Sequence, residues 1–118
     1  MTLDLVIKNN DGETSFKNID YTYKNKKLIF NTPEDNYKFI IDKSIQMNKE
    51  NNESKIEMLF INDKESNGIY TIKELNTIFN LNIETNNLEI TDKSVIIDYE
   101  LSIEEENAGV FRIEIYFN

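Results

Sequence analysis

Val95-Ile96-Ile97-Asp98-Tyr99-Glu100-Leu101-Ser102-Ile103 is the stretch whose reading decides the fold. Every second residue from Val95 to Ile103 is apolar, and Asp98, Glu100 and Ser102 stand between them. Successive side chains leave a strand on opposite faces, so a period of two describes a strand with one face in a core and the other in water. Only Ile96 departs from it. The stretch Phe111 to Phe117 repeats the pattern, with Phe111, Ile113, Ile115 and Phe117 on one face and Arg112, Glu114 and Tyr116 on the other. Two such stretches in succession predict an antiparallel hairpin.

Loop parity extends the reading outward. Residues facing each other across an antiparallel pair lie on the same side of the sheet, so an even connection switches the odd or even phase of the inward positions and an odd one keeps it. Tyr21 and Tyr23 against Leu28 and Phe30 require an even connection, which Lys24–Lys27 supplies. Ile45 and Met47 against Ile56, Met58 and Phe60 place one at Glu50–Glu53. Phe79, Leu81 and Ile83 pass to Leu88 and Ile90 across Glu84–Asn87, and these pass to Val95 across Thr91–Ser94. Tyr37, Phe39 and Ile41 share the phase of Ile45, which fits a turn at Asp42-Lys43-Ser44 or one long bent strand, the turn being the favoured reading. Pairing Ile103 with Phe111 leaves an odd connection from Glu104 to Val110; it excludes a two-residue turn and gives Gly109 a left-handed or bulged backbone.

Leu3, Leu5 and Ile7 alternate before the turn signal Asn9-Asn10-Asp11-Gly12, with Phe16 beyond it. Asn67-Gly68 reads as a loop before a strand at Ile69–Ile72. One segment competes with this all-β reading: Thr71 to Glu74 forms a capping-box pattern, and Leu75, Ile78 and Phe79 follow at helical spacing, so a short helix over 72–79 is the alternative there. The expectation is an all-β antiparallel meander of about 8–10 strands, closed or nearly closed into a barrel, because only closure removes both exposed edges. Residues 1–118 form one domain in this reading.

The same residues resemble the YwiB-like family of uncharacterised bacterial proteins. The likeness is clearest from Tyr37 to Ile115: Met58-x-Phe60, a polar loop and Tyr70, then Thr85 and Leu88-x-Ile90, then Tyr99-x-Leu101-x-Ile103. Tyr21-x-Tyr23 before Leu28-Ile29-Phe30 matches the family's aromatic early hairpin. The chain departs from the family pattern at Ile72–Thr77, where no glycine stands. The resemblance implies a calycin-like barrel, related in shape to lipocalins, and implies no activity, because none is assigned to the family.

The chain holds no cysteine and no histidine. A disulfide framework, a thiolate zinc site and the usual general base near neutral pH are thereby excluded. With a net charge of −9, the surface repels nucleic acid and anionic membranes, and the scattered lysines make no basic face. No leader or spanning pattern is present at the start, so the expected location is cytoplasmic. We expect no metal, no cofactor and no catalytic residue.

Candidate residues follow from the fold. Phe60, Tyr70, Phe79, Tyr99 and Ile115 share the inward phase and are the candidates to line a lumen holding a small apolar ligand, with a packed core as the competing reading. Arg112, the sole arginine, is the candidate anion contact. A surface ion pair is the stronger reading for it, since pairing Ile103 with Phe111 puts Arg112 opposite Ser102 and diagonal to Glu100 and Glu104. The same register sets Glu100 opposite Glu114. Carboxylate groups such as Glu104–Glu106 lack the spacing of a calcium loop. The leading expectation is a non-catalytic barrel holding a small apolar or amphipathic molecule; the alternative is an interaction or assembly module, with a homodimer as one form.

Overall fold

Alternation is realised along nearly the whole chain. The computed structural model describes Met1–Asn118 and contains ten strands: β1 (Thr2–Asn9), β2 (Gly12–Lys24), β3 (Lys27–Asn31), β4 (Asn36–Ile41), β5 (Ile45–Glu50), β6 (Ser54–Phe60), β7 (Glu65–Ile72), β8 (Thr77–Ile90), β9 (Ser94–Ile103) and β10 (Glu106–Phe117). Each pairs antiparallel with its neighbours in sequence, and β1 also pairs with β10, so the meander closes into the expected barrel. Closure satisfies the backbone of both terminal strands, leaving no edge to recruit another chain.

The inward rows make one core. Leu3, Leu5, Leu28, Phe39, Ile45, Phe60, Ile83, Ile97 and Ile115 are fully enclosed there. Phe30, Tyr37 and Phe39 stack on one wall, with ring centroids 5.0 Å apart for Phe30 and Tyr37 and 6.1 Å for Tyr37 and Phe39. Close ring packing of this kind adds to the burial of large apolar areas. Ile96 lies on the outer wall, cross-strand from Glu114, and is nonetheless buried.

Most parity expectations hold. Tyr23 faces Leu28 and Lys24 faces Lys27, leaving Asn25 and Lys26 as the turn, with φ of 54° and 66°. Two left-handed residues give the hairpin turn whose twist matches its strands. Ile41 faces Ile45 and Ile90 faces Val95, as read from the sequence. The β5–β6 connection is even but shifted: Glu50 pairs with Lys55, so the link is Asn51–Ser54. Asn51 sets that register, its Oδ1 accepting from the backbone N–H groups of Glu53 and Ser54 at 2.8 Å each.

Four expectations are corrected. No turn interrupts residues 84–87; β8 runs through them, and a bulge between Thr85 and Asn87 switches the phase. One extra residue on one strand shifts parity as an even loop does. A bulge between Asn107 and Gly109 likewise allows a two-residue turn at Glu104-Glu105, so Phe111 faces Tyr99 and not Ile103. Gly109 takes a φ of 123°, the conformation expected of it. Asn67 and Gly68 lie inside β7, where a Cβ on Gly68 would collide with the Glu57 carbonyl oxygen. No helix forms over 72–79: Ile72 faces Thr77 and Lys73–Asn76 make the turn. Asn76, with a φ of 49°, fills the left-handed position of this turn.

Candidate functional site

The lumen candidates divide between two levels of the barrel. The upper end carries the turns at 10–11, 32–35, 51–53, 73–76 and 104–105. At that end, register joins Tyr37 to Lys49, Lys49 to Ile56, Ile56 to Tyr70 and Tyr70 to Phe79, making one inward row across β4–β8. Tyr70 and Phe79 are half-buried, with ring centroids 6.0 Å apart. Phe79 and Ile103 floor a hollow of about 420 Å³, rimmed by Glu104, Glu106, Asn107 and Ala108. Hollows of this size at a barrel mouth admit a small molecule.

Phe60, Tyr99 and Ile115 sit deeper. Phe60 packs on Tyr99 at 4.9 Å between centroids, and Tyr99 stacks on Phe111 at 5.4 Å. Ile115 lies between Leu5 and Val95 and is fully enclosed, so the structure does not bring it to Tyr70 and Phe79. Burial pushes the Tyr99 phenol well above its ordinary range, and burial, then the nearby Asp35 charge and Tyr99, do the same to Tyr37. Both stay protonated at neutral pH.

Lys49 and Thr85 are among the inward polar groups that escaped the sequence reading. Lys49 continues the inward phase of Ile45 and Met47, a signal present in the alternation itself; its Nζ lies 5.8 Å from the Tyr37 ring centre and 3.8 Å from Asp35 Oδ2. Thr85 is fully enclosed beside Tyr99, and its hydroxyl has no hydrogen-bond partner. Thr85 continues the inward phase of Leu81 and Ile83, and the bulge begins only after it.

Arg112 lies on the outer wall opposite Asp98, which corrects the expected position opposite Ser102. Its Nη1 is 3.0 Å from Asp98 Oδ2 and its Nε donates to Glu114 Oε2 at 2.6 Å. Lys8 Nζ is 3.1 Å from the same oxygen, and the Tyr116 hydroxyl donates to Glu114 Oε1 at 2.9 Å. Burial pushes the Glu114 carboxyl up, but the hydrogen bonds from Arg112, Lys8 and Tyr116 outweigh it and hold the group below its ordinary range. The arginine is therefore engaged by two carboxylates of its own chain. Glu100 faces Glu84 and Val110, and not Glu114 as the expected register had it.

A larger hollow lies on the outer wall. It measures about 720 Å³ and runs over β5–β8, lined by Gln46, Asn48, Glu57, Leu59, Asn67 and Ile69 among others. Gly68, inward at that level, lets the backbone of β7 sit against Glu57 and draws the wall in.

No helix is long and apolar enough to cross a membrane. No family model matches the chain, and no curated protein matches it. Among solved structures it is similar to the crystal structure of the ywiB protein from Bacillus subtilis, with a TM-score of 0.61 and 11% identity over 99% of this chain and 90% of that one. At that identity the likeness is one of fold, and the closed antiparallel barrel is what the two chains share.

Proposed function

We propose that this chain is a cytoplasmic, non-catalytic barrel that holds a small apolar or amphipathic molecule at its upper mouth. One observation carries the reading. Inward side chains such as Phe39 and Ile83 are fully enclosed in mid-barrel, but the upper row is half-buried at Ile56, Tyr70 and Phe79, and Phe79 with Ile103 floors the hollow of about 420 Å³. Half-covered aromatic surface facing a hollow gains by burying an alkyl chain, at about 25 cal/mol per Å² of apolar area removed from water. Lys49, Asp35, Glu104 and Glu106 give the mouth a polar edge for the other end of such a molecule. The deeper aromatics serve as packing beneath it.

Titration of the isotope-labelled chain with decanol, followed by nuclear magnetic resonance, tests this. Saturable shifts at Tyr70, Phe79 and Ile103, lost in Phe79→Asp, are expected. Absence of saturable binding, or shifts confined to other surfaces, would overturn the reading.

A second reading, an assembly module that meets its partner through the barrel wall, is favoured by Leu75 on the β7–β8 turn and Ile78 on β8, which stand exposed.

A further inference from the structure

The two ends of the barrel differ in charge. Each turn at the upper end carries a carboxylate, at Asp11, Glu34, Glu53, Glu74 and Glu105. Lys73 is the one cation on those turns, and its Nζ lies 2.7 Å from Glu50 Oε2. At the opposite, lower end each turn carries a lysine, at Lys26, Lys43, Lys64 and Lys93, and no turn there has more than one aspartate. The turns thus make the upper end acidic and leave the lower end near neutral. Charge of one sign around a recess with low-dielectric walls focuses its field within the recess.

The hollow floored by Phe79 and Ile103 repeats this asymmetry at close range. Glu104 and Glu106 are the only charged side chains lining it. Glu106 faces Ile103 across the β9–β10 pair and so shares its inward phase. Glu104 is fixed from behind, its Oε1 accepting from the Asn80 backbone N–H at 2.8 Å. The ion pairs of the chain engage other carboxylates, so neither glutamate has a cation of its own. Glu104 and Glu105 also hold φ of 49° and 71°, a backbone that asparagine or glycine adopts at lower cost, so turn stability alone does not call for glutamates there. Lys49, an inward cation on β5, lies 3.8 Å from Asp35 Oδ2 and takes no part in lining the hollow.

We infer that the amphiphile held at the upper mouth carries a cationic head: an alkylammonium, with its alkyl chain on Phe79 and Ile103 and its nitrogen at Glu104 and Glu106. This rests on the mouth-binding reading and adds the charge of the head group to it. An anionic head in the same place would meet two carboxylates without a compensating cation.

Probes of equal chain length separate head-group charge from chain burial. Decyltrimethylammonium, decanol and decanoate, each kept below its micellar concentration, are titrated into the isotope-labelled full chain and followed at Phe79 and Ile103. Decyltrimethylammonium should bind at least about tenfold more tightly than decanoate at low salt, and the ratio should shrink as salt is added. Glu104→Gln combined with Glu106→Gln, which keeps the acceptor for Asn80, should cut the ratio at least about threefold. Glu89→Gln combined with Asp92→Asn, which removes the same charge from exposed sites near the lower end, should leave it within about twofold. Equal binding of decanoate and decyltrimethylammonium, or a ratio lost equally in both double variants, overturns the cationic head and leaves the mouth standing. No saturable shift at Phe79 and Ile103 with any probe overturns both.

Discussion

Arg112 Nε and Glu114 Oε2 meet at 2.6 Å on the outside of the barrel, two residues apart on one strand, and make the centre of a charged group that includes Lys8, Asp98 and Tyr116. Glu114 is only 5% exposed, so its charge depends on these partners more than on water. Its folded pKa lies below the unfolded value of about 4.3, so its contribution is complete above that pH and is lost as pH falls through the folded value. Glu114→Gln should cost about 2 kcal/mol at pH 7 and should lose stability less steeply below about pH 4.3, as read by urea unfolding across an acid series.

Tyr99 gives the opposite limb. Its phenol is raised by burial, so its contribution is complete below the unfolded value of about 10 and disappears as pH rises toward the folded one. Tyr99→Phe should change stability at pH 7 by no more than about 1 kcal/mol. It should also flatten the fall in stability above about pH 10, with alkaline urea unfolding as the measurement. An unchanged alkaline slope would assign that limb to other groups.

Gly68 is required by proximity and not by a left-handed backbone. A methyl group there meets the Glu57 carbonyl oxygen and, at 3.2 Å, Ile83 Cδ1. Gly68→Ala should therefore lower stability by about 2 kcal/mol through overpacking, visible as a lower thermal midpoint.

Glu84 faces Glu65 on β7 and Glu100 on β9, three exposed carboxylates in one cross-strand row. Like charges directly opposite each other oppose pairing. Glu84→Gln should stabilise the barrel by a few tenths of a kcal/mol, roughly, and the gain should shrink as salt is added. An equal gain at low and high salt would point to a cause other than repulsion.

How far the sequence could be followed is clearest at β8–β10. The alternation in Val95–Ile103 and Phe111–Phe117 named the inward faces, and all of Val95, Ile97, Tyr99, Leu101, Ile113 and Ile115 lie in the core. Their mutual register was not legible, because an extra residue at a bulge and an even loop change phase identically. That ambiguity set Arg112 opposite Ser102 in the sequence reading and opposite Asp98 in the fold. The candidate site followed the same division: phase identified Phe60, Tyr70, Phe79, Tyr99 and Ile115 as inward residues, but not which of them share a level of the barrel.

By itself, the sequence determined what is local: the period of two, the inward phase of each stretch, and most of the turns, since these depend on neighbouring residues along one chain. Tertiary structure alone decided what depends on partners distant in sequence. Ile115 beside Leu5, the closure of β1 on β10, the sunken Gly68 and the unpartnered hydroxyl of Thr85 all belong to this second kind. The physical reason is that side-chain direction is a property of one strand, whereas register and closure are set by the summed pairing and packing of ten.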